Sequence, residues 1–240
     1  MRLSESVYWI GGGSVGPGFT AAGDCNVYLL RGPGGYAMID AGCGERPELI
    51  ERQLAWDGVK PHEIKAIVIT HAHWDHVKGA NYWRERTGAK IYAPEGAAEY
   101  MLRGGQYAPD ARPDGYRIDP TPPDVRIADR ETFAAAGLEL TAIHLPGHCA
   151  HMFGFFAELD GARVLAGGDL FYWGGKVTVF LNPDADRAVF RQSLLRLRDE
   201  SFGVLLPGHR YPVMQQAQQH LPLAIEEIER QLAGQPAMRG

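Results

Sequence analysis

A short run of metal-binding residue types is the strongest chemical signal in this sequence of 240 residues. Four of six consecutive positions, directly after the apolar stretch 67–69, are occupied by His71, His73, Asp75 and His76. Imidazole nitrogens and carboxylate oxygens are ligands that zinc, iron and manganese accept. Since the chain has only 9 histidines, this clustering indicates a metal site.

Three further motifs each place a histidine or an aspartate after a predicted strand. They are Pro146-Gly147-His148, Gly167-Gly168-Asp169 and Pro207-Gly208-His209. Loops at strand ends converge on one edge of a sheet even when they are far apart in sequence. The glycine beside each of these residues permits the tight turn that aims the side chain. The sequence therefore predicts that all seven polar side chains meet.

Seven potential ligands exceed the three protein ligands of a typical catalytic zinc ion. They fit two metal ions that share one carboxylate and one solvent molecule. Two cations roughly 3.5–4 Å apart lower the pKa of the shared water and stabilise an oxyanion. The residue types thus predict a metal centre that activates water and stabilises an oxyanion.

The elements that must position these motifs follow from hydrophobic periodicity and turn residues. Strands are predicted at 7–10, 26–31, 36–40, 66–69, 90–93, 138–143, 152–159, 163–166 and 204–206. Helices are predicted at 45–56, 77–87, 187–198 and 213–232, with a break expected near Pro222. Strands and a helix that are followed by a second such set indicate a layered α/β domain.

Two irregular segments are candidates for the walls of a substrate pocket. One is the glycine-rich stretch Gly11–Phe19, and the other is Glu95–Arg130, with its tip at Tyr107–Pro113. A long irregular stretch inside a compact domain is either a functional loop or a tolerated surface insertion. Deletion of the tip is expected to change substrate preference more than metal content if the segment is functional.

The charge and composition of the chain restrict its partners and its compartment. A net charge of −5 gives no basic face for a nucleic acid. No apolar run approaches the ~20 residues of a membrane helix, and the N-terminus lacks the apolar core of a signal peptide. The three cysteines, Cys25, Cys43 and Cys149, follow no regular spacing and predict reduced, mostly buried thiols. We therefore expect a cytoplasmic protein with a small-molecule substrate, without nucleic-acid or membrane partners, and compatible with a homodimer.

The ordered set of motifs resembles the metallo-β-lactamase-fold superfamily, whose members are four-layer αββα sandwiches. The resemblance covers essentially the whole chain, residues 1–240, as a single domain. It implies that one metal ion is held by His71, His73 and His148. It implies that a second metal ion is held by Asp75, His76 and His209. Asp169 then bridges the two ions, which are expected to be zinc, with iron and manganese as alternatives.

Other residues are expected to support the site rather than to bind metal. Asp40 resembles a recurring Asp-x-Gly turn of the superfamily that supports the metal-binding loop. His144 and His151 flank His148, and we expect them to be structural or to orient ligands. His62 and His220, in polar helical or loop contexts, are expected to face solvent.

The resemblance implies a hydrolase in which a metal-bridging hydroxide attacks the carbonyl carbon of a small ester, thioester or lactone. Asp75 is then both a ligand and a catalytic residue that transfers a proton. Tyr172, three positions after Asp169, resembles the tyrosine that lactonases of this superfamily use to steady the substrate carbonyl or the oxyanion. The alternative for Tyr172 is an aromatic side chain that packs on its loop.

Several other activities are weighed against this one. Glyoxalase II-like thioesterases add a C-terminal domain that binds glutathione, and only residues 210–240 follow His209, so glutathione specificity is not expected. β-Lactamases usually lack the bridging Asp169 and are secreted, although β-lactamase activity is kept as an alternative. A persulfide dioxygenase with one iron ion is the alternative from another reaction class. A non-catalytic metal-binding module is the third.

Overall fold

The computed structural model describes residues 1–107, 116–179 and 184–235 of the chain. The strands, numbered in chain order, are Val7–Gly11 (β1), Val27–Gly32 (β2), Gly35–Ile39 (β3), Ile64–Val68 (β4), Lys90–Pro94 (β5), Gly105–Tyr107 (β6), Tyr116–Ile118 (β7), Val125–Ile127 (β8), Thr132–Ala135 (β9), Leu138–His144 (β10), Phe153–Leu159 (β11), Ala162–Gly168 (β12) and Val204–Pro207 (β13). The α-helices are Pro47–Trp56 (α1), Trp74–Val77 (α2), Ala80–Thr87 (α3), Glu95–Arg103 (α4), Arg187–Arg196 (α5) and Leu221–Leu232 (α6).

The strands form two main sheets. The first has the order β1-β2-β3-β4-β5-β8, and the second has the order β13-β12-β11-β10-β9. Strands β3, β4, β5 and β8 run parallel to one another, with helices in the connections, as parallel pairing requires. The second sheet is antiparallel except for the pair β12 and β13. Strands β6 and β7 form a separate hairpin.

Three apolar layers hold the sheets and helices together. Neighbouring residues of one strand point to opposite faces, so Ile67 packs among the helices α1, α3 and α4 while Val68 packs between the sheets. On the second sheet, Leu206 faces the first sheet, whereas Leu205 faces Phe190 of α5 and other apolar residues of α5 and α6. The order helices, sheet, sheet, helices confirms the expected four-layer fold.

Two predicted helices have different bounds in the structure. The helix predicted at 77–87 is divided, since α2 ends at Val77 and α3 begins at Ala80. The C-terminal helix predicted from 213 begins only at Leu221, so that extent was wrong. Pro222 lies in the first turn, where its missing N–H costs no hydrogen bond, and it therefore marks the start of α6 rather than a break.

The segment 95–130 is more regular than its composition predicts. It begins with α4, continues into the hairpin of β6 and β7, and returns to the first sheet as β8. Of the predicted tip, 107–113, all but the first residue lies outside the described part of the chain. In the ranges described, no helix has both the length and the apolar character needed to span a bilayer.

Candidate metal centre

The seven predicted ligands lie at the ends of four strands. The loop after β4 carries the first run of four, and one further residue follows each of β10, β12 and β13. Their ligand atoms form three groups in which every atom lies within 4.8 Å of the others. These groups are His71, His73 and His148; His71, His76 and Asp169; and Asp75, His76 and His209. The structure therefore brings all seven side chains into one place.

The first group consists of three buried imidazoles. His148 Nε2 lies 2.8 Å from His73 Nδ1, and the ring centroids of His71 and His73 are 4.5 Å apart. Burial lowers the pKa of His71 and of His73 well below the usual value, and it lowers the pKa of His148 as well. The three rings are therefore neutral near pH 7, which is the form that binds metal.

The second group combines imidazoles with carboxylates. His209 Nε2 lies 3.1 Å from Asp75 Oδ2, and His76 Nε2 lies 3.6 Å from the same oxygen. Burial acts to lower the pKa of His209, but Asp169 and Asp75 outweigh it and raise that pKa to about 9. The two carboxylates thus favour positive charge at this position.

Asp169 contacts both groups. Its Oδ1 lies 3.4 Å from His76 Nε2, and its Oδ2 lies 3.5 Å from His148 Nε2 and 3.4 Å from His209 Nε2. Burial acts to raise the pKa of Asp169, but His209 and His76 hold it well below the usual value. Asp169 is therefore an ionised carboxylate that lies between the two groups, with Oδ2 near a nitrogen of each group and Oδ1 near His76.

Asp40 and Thr70 fix the orientation of two of these rings. The buried Asp40 carboxylate accepts hydrogen bonds from Thr70 N and Thr70 Oγ1, each at 2.8 Å, and its Oδ2 lies 2.8 Å from His76 Nδ1. Thr70 Oγ1 lies 3.0 Å from His71 Nδ1. Because the Nδ1 atoms of His71 and His76 are engaged outside the cluster, their Nε2 atoms face into it. The sequence singled out Asp40 but not Thr70, whose only signal was its place just before the first histidine.

The flanking histidines hold the backbone of the site. Ala72 N, between two ligand candidates, donates a hydrogen bond of 3.1 Å to His151 Nε2. Burial lowers the pKa of His151 to about 4, so the ring is neutral and this nitrogen accepts. The ring stacks on Tyr100 of α4 at 4.7 Å. His144 Nε2 lies 2.8 Å from Ala150 O, which closes the turn that carries His148.

Two glycines allow the strand-end motifs to approach the cluster closely. A Cβ added at Gly208 would overlap Asp169 Oδ1 and lie 2.6 Å from His76 Cε1. Gly147 has a φ of 127°, and a Cβ there would overlap the backbone of Phe190 at the start of α5. Both glycines are therefore required for space, and Gly147 is also required for its backbone conformation.

Asn26 attaches the loop of His209 to the first sheet. Its Nδ2 donates to Pro207 O at 2.9 Å and to Arg210 O at 3.0 Å. Its backbone N donates to Gly208 O at 2.6 Å, and the Tyr28 hydroxyl donates to Pro207 O at 3.0 Å. Sequence patterns missed Asn26, because its partners are 181 and 184 residues away in the chain.

Tyr172 lies beside the second group. Its side chain is 2% exposed, and its ring centroid is 6.5 Å from that of His209. Burial raises the pKa of Tyr172 well above the usual value, so its hydroxyl is protonated. The ring also lies 5.6 Å from the guanidinium carbon of Arg210, a residue that the sequence did not single out.

The polar atoms of the cluster fit a bound metal. Within the described residues, His71 Nε2, His76 Nε2 and Asp169 Oδ1 are buried and make no hydrogen bond. A buried polar atom without a hydrogen bond costs roughly 1–3 kcal/mol, and these three lie within 4.8 Å of one another. Zinc, iron and manganese accept imidazole nitrogens and carboxylate oxygens as ligands. The residues present therefore match a divalent cation.

Comparisons with known protein sequences point the same way. The sequence profile of the metallo-beta-lactamase superfamily matches residues 20–209. The chain is 28% identical over 138 residues to a hydroxyacylglutathione hydrolase of Albidiferax ferrireducens. This alignment covers 57% of this chain and 46% of that protein. The chain is 34% identical over 119 residues to a metal-dependent hydrolase of Thermococcus kodakarensis, which covers 48% and 49%. The chain thus spans about half the length of these two relatives. It is 25% identical to the human acyl-coenzyme A thioesterase MBLAC2, over 86% of this chain and 79% of that protein.

Solved structures show the same fold. A metallo-beta-lactamase of Cronobacter sakazakii superposes with a TM-score of 0.77 and 23% identity, over 99% of this chain and 95% of that chain. The class B3 di-zinc metallo-beta-lactamase LRA-12 from an Alaskan soil metagenome gives a TM-score of 0.76 and 19% identity, over 97% and 92%.

Proposed function

Since the chain belongs to the metallo-beta-lactamase superfamily, we propose that it is a dinuclear metal-dependent hydrolase of a small ester, thioester or lactone. The observation that carries the proposal is the position of Asp169. This carboxylate lies within 3.5 Å of a nitrogen of the first group and within 3.4 Å of nitrogens of the second group. A shared carboxylate of this kind suits two neighbouring cations.

The two cations have separate sets of ligands in this proposal. His71, His73 and His148 hold the first, and Asp75, His76 and His209 hold the second. Asp169 is shared, and zinc is the metal that we expect. Two divalent cations bound here supply Lewis acidity toward the carbonyl oxygen and make water a nucleophile near pH 7.

Two residues of the chain are assigned the remaining steps. The Asp75 side chain is 15% exposed, against 3% for Asp169. Asp75 is therefore the carboxylate that can take a proton from the nucleophile and pass it to the leaving group. Tyr172, which keeps its proton at neutral pH, donates a hydrogen bond to the substrate carbonyl as charge develops on that oxygen. Both are catalytic residues in this proposal.

Thioesters are the first substrates to test. Two of the relatives are named as hydrolases of thioester substrates, one a hydroxyacylglutathione hydrolase and one an acyl-coenzyme A thioesterase. We also propose that the glycine-rich segment Gly11–Phe19 forms a wall of the substrate pocket. Its Val15 O accepts a hydrogen bond from Arg210 N, next to His209, which supports this position.

Three variants test the proposal. His71→Ala and Asp169→Ala remove one ligand of the first cation and the shared carboxylate, whereas His62→Ala removes an exposed histidine away from the cluster. We expect the first two variants to lose turnover of the best substrate by about a hundredfold or more and to retain less metal by elemental analysis. His62→Ala should match the unmodified protein. Full activity in either ligand variant would refute the proposal.

Metal counting combined with oxygen measurement separates this activity from its alternatives. The proposal expects two metal ions per chain and hydrolysis without oxygen consumption. One iron ion per chain, with oxygen uptake in the presence of a glutathione persulfide, would instead establish a persulfide dioxygenase. A fully metallated protein that cleaves no ester, thioester, lactone or β-lactam would be a metal-binding module.

A further inference from the structure

Arg210 brings a positive charge to the edge of the metal centre. It directly follows His209, and its guanidinium carbon lies 5.6 Å from the ring centroid of Tyr172. The Tyr172 ring in turn lies 6.5 Å from the His209 ring. The guanidinium is therefore beside the tyrosine that we place on the substrate carbonyl.

The backbone of Arg210 has a conformation that non-glycine residues rarely adopt. Its φ is 62°, in the left-handed region. Hydrogen bonds hold it on both sides, from Arg210 N to Val15 O at 2.9 Å and from Asn26 Nδ2 to Arg210 O at 3.0 Å. Such conformations persist where the surroundings over-determine them, and they cluster at ligand-binding sites. The point at which the arginine side chain leaves the backbone is thus fixed.

The guanidinium of Arg210 has no acidic partner among the residues that the structure describes. Several other arginines pair with carboxylates, as Arg126 does with Glu99 at 2.7 Å and Arg191 with Glu229 at 2.6 Å. Arg210 makes no such ion pair in the described ranges, and its Nε is buried without a hydrogen bond. The donors of a guanidinium form a planar fork that matches a carboxylate. Arg210 therefore has unused donors suited to an anion.

The neighbouring residues place this guanidinium at the boundary with solvent. Tyr211, the next residue, is 61% exposed, and Trp173, next to Tyr172, is 63% exposed. Arg210 itself is half-buried. A partly accessible guanidinium thus lies beside the Tyr172 ring.

We propose that Arg210 is a specificity-determining residue that binds a carboxylate of the substrate. The proposed hydrolase then prefers an ester or thioester with an anionic group near the scissile bond to a neutral one of the same size. This inference rests on the proposed function, since it concerns the substrate of that same site. The carboxylate is on either the acyl side or the leaving-group side, and the experiment distinguishes the two.

Matched thioester pairs test the preference kinetically. On the leaving-group side, the acetyl thioester of 3-sulfanylpropanoate is compared with that of 3-sulfanylpropan-1-ol. On the acyl side, a succinyl thioester of a neutral thiol is compared with its monomethyl ester. We expect the kcat/KM ratio of anionic to neutral substrate to exceed one for at least one pair, and to fall about tenfold in Arg210→Met. Arg210→Lys, which keeps the charge but not the fork, should retain part of the ratio.

Binding provides a readout that does not depend on turnover. Calorimetric titration of the metal-loaded protein with 3-sulfanylpropanoate and with 3-sulfanylpropan-1-ol, and with succinate and its monomethyl ester, gives two ratios of affinities. We expect the member of the relevant pair that carries the additional carboxylate to bind about tenfold more tightly, and Arg210→Met to abolish that difference. Arg52→Met is the matched control, because it removes an exposed positive charge on α1 and should leave both ratios unchanged.

The outcomes separate the two proposals. Hydrolysis of neutral and anionic substrates at equal rates, with no preference in binding, would overturn the role of Arg210 and leave the hydrolase standing. A binding preference that Arg210→Met abolishes, in a metal-loaded protein that cleaves none of the substrates, would support the anion site and refute the hydrolase. If the preference for the anionic substrate persists in Arg210→Met, or is lost to the same extent in Arg52→Met, it arises from the overall electrostatic field of the protein. Either result would overturn the role of Arg210.

Discussion

His151 shows how one residue outside the seven-ligand set controls the loop that carries four of them. Its Nε2 accepts a hydrogen bond from Ala72 N, the amide between His71 and His73. Only the neutral ring can accept at this nitrogen, since both nitrogens of a protonated imidazole are donors. The geometry of the metal-binding loop is therefore coupled to the protonation state of a residue that we do not expect to bind metal.

This coupling predicts acid sensitivity. The folded-state pKa of His151 is about 4, below the ordinary 6.5, so the unfolded chain binds the proton more readily. The contribution of His151 to the free energy of unfolding is thus fully present above pH 6.5. It is lost as the pH falls toward 4, by up to about 3 kcal/mol. Urea unfolding of the metal-free protein at several pH values should show the free energy of unfolding falling between pH 6.5 and 4. His151→Gln should reduce the slope of this dependence on pH. Identical slopes in the two proteins would contradict the prediction.

A substitution at Tyr172 distinguishes a catalytic role of its hydroxyl from a packing role of its ring. Tyr172→Phe keeps the buried ring and removes only the hydrogen-bond donor. Loss of a donor to a developing oxyanion lowers kcat by about a hundredfold or more, whereas metal content and thermal stability should stay near those of the unmodified protein. Steady-state kinetics with elemental analysis checks both. An unchanged kcat would leave Tyr172 with a packing role.

Residue types and spacing were sufficient to predict that these seven side chains meet, because each lies in a short motif near a glycine or another candidate ligand. Their binding of metal stays a prediction. The residues that position them were harder to find. Asn26 and Thr70 act through hydrogen bonds to groups that are adjacent only in the folded chain, such as Pro207 O and Asp40. Arg210 carries no motif, and its left-handed backbone and its lack of an acidic partner among the described residues are visible only in three dimensions.

Strand ends are the elements that define the site, and β13 is the clearest case. It is preceded by Gly203 and followed by Gly208, two glycines with different surroundings. A Cβ at Gly208 would overlap Asp169 Oδ1, whereas a Cβ at Gly203 would meet only the Ala162 Cβ, at 3.9 Å. Comparing Gly208→Ala with Gly203→Ala therefore separates an effect on the candidate metal centre from an effect on the strand β13.

Gly208→Ala is expected to push Asp169 and His76 out of place. We predict that its metal affinity falls about tenfold or more and that overpacking lowers the free energy of unfolding by about 1–3 kcal/mol. Gly203→Ala should leave both quantities near their original values. Competition with a chelating dye and urea unfolding measure them, and equal effects of the two substitutions would contradict the explanation.

Element prediction succeeded where apolar periodicity is strong and failed where tertiary contacts decide. Strands such as β4 and β13 are buried on both faces and stand out as short apolar runs. The start of α6 was misplaced because 213–220 instead forms a bridge between Val213 and Leu205 and a short 3-10 helix. The helix α4 was missed because its glycine, Gly96, lowers helix propensity, whereas its position against the His151 side chain requires one.

At the scale of the whole molecule, the candidate metal centre joins the two sheets. The loop from 70 to 76 belongs to the first sheet, whereas His148, Asp169 and His209 belong to the second. Cations bound between them would add a further link between two layers that apolar packing and the hydrogen bonds of Asn26 and Tyr28 already join. Metal binding and the stability of the fold are therefore coupled.

Chelation tests this coupling. Metal present at about 100 times its dissociation constant stabilises the folded state by about 2.7 kcal/mol, which is about 5–10 °C in Tm for a chain of this size. We expect a chelator to lower the Tm by about this amount and added zinc to restore it. Asp169→Ala should respond much less to either treatment. A Tm of the unmodified protein that does not change with chelator would contradict the coupling.

The sheet order could not be obtained from periodicity, because each strand is short and several pair with neighbours distant in sequence. The layered α/β class followed from the sequence of elements, whereas the four-layer arrangement was implied by the resemblance of the motifs. Burial on both faces, as in Ile67 and Val68, explains why local patterns did not reveal which face of a strand meets a helix.

The hydrogen bonds of Asn26 also constrain the order of events during synthesis. Asn26 can form its hydrogen bond to Pro207 O only after Pro207, 181 residues further along the chain, has been synthesised. His209 is synthesised after Pro207. At about 5–20 residues per second, about 10–40 s pass between the appearance of the two on the ribosome. The first histidines are thus made long before their last partner. The complete set of candidate ligands therefore exists only after residue 209 has been synthesised, and a shorter nascent chain can offer only a partial set to the metals of its surroundings.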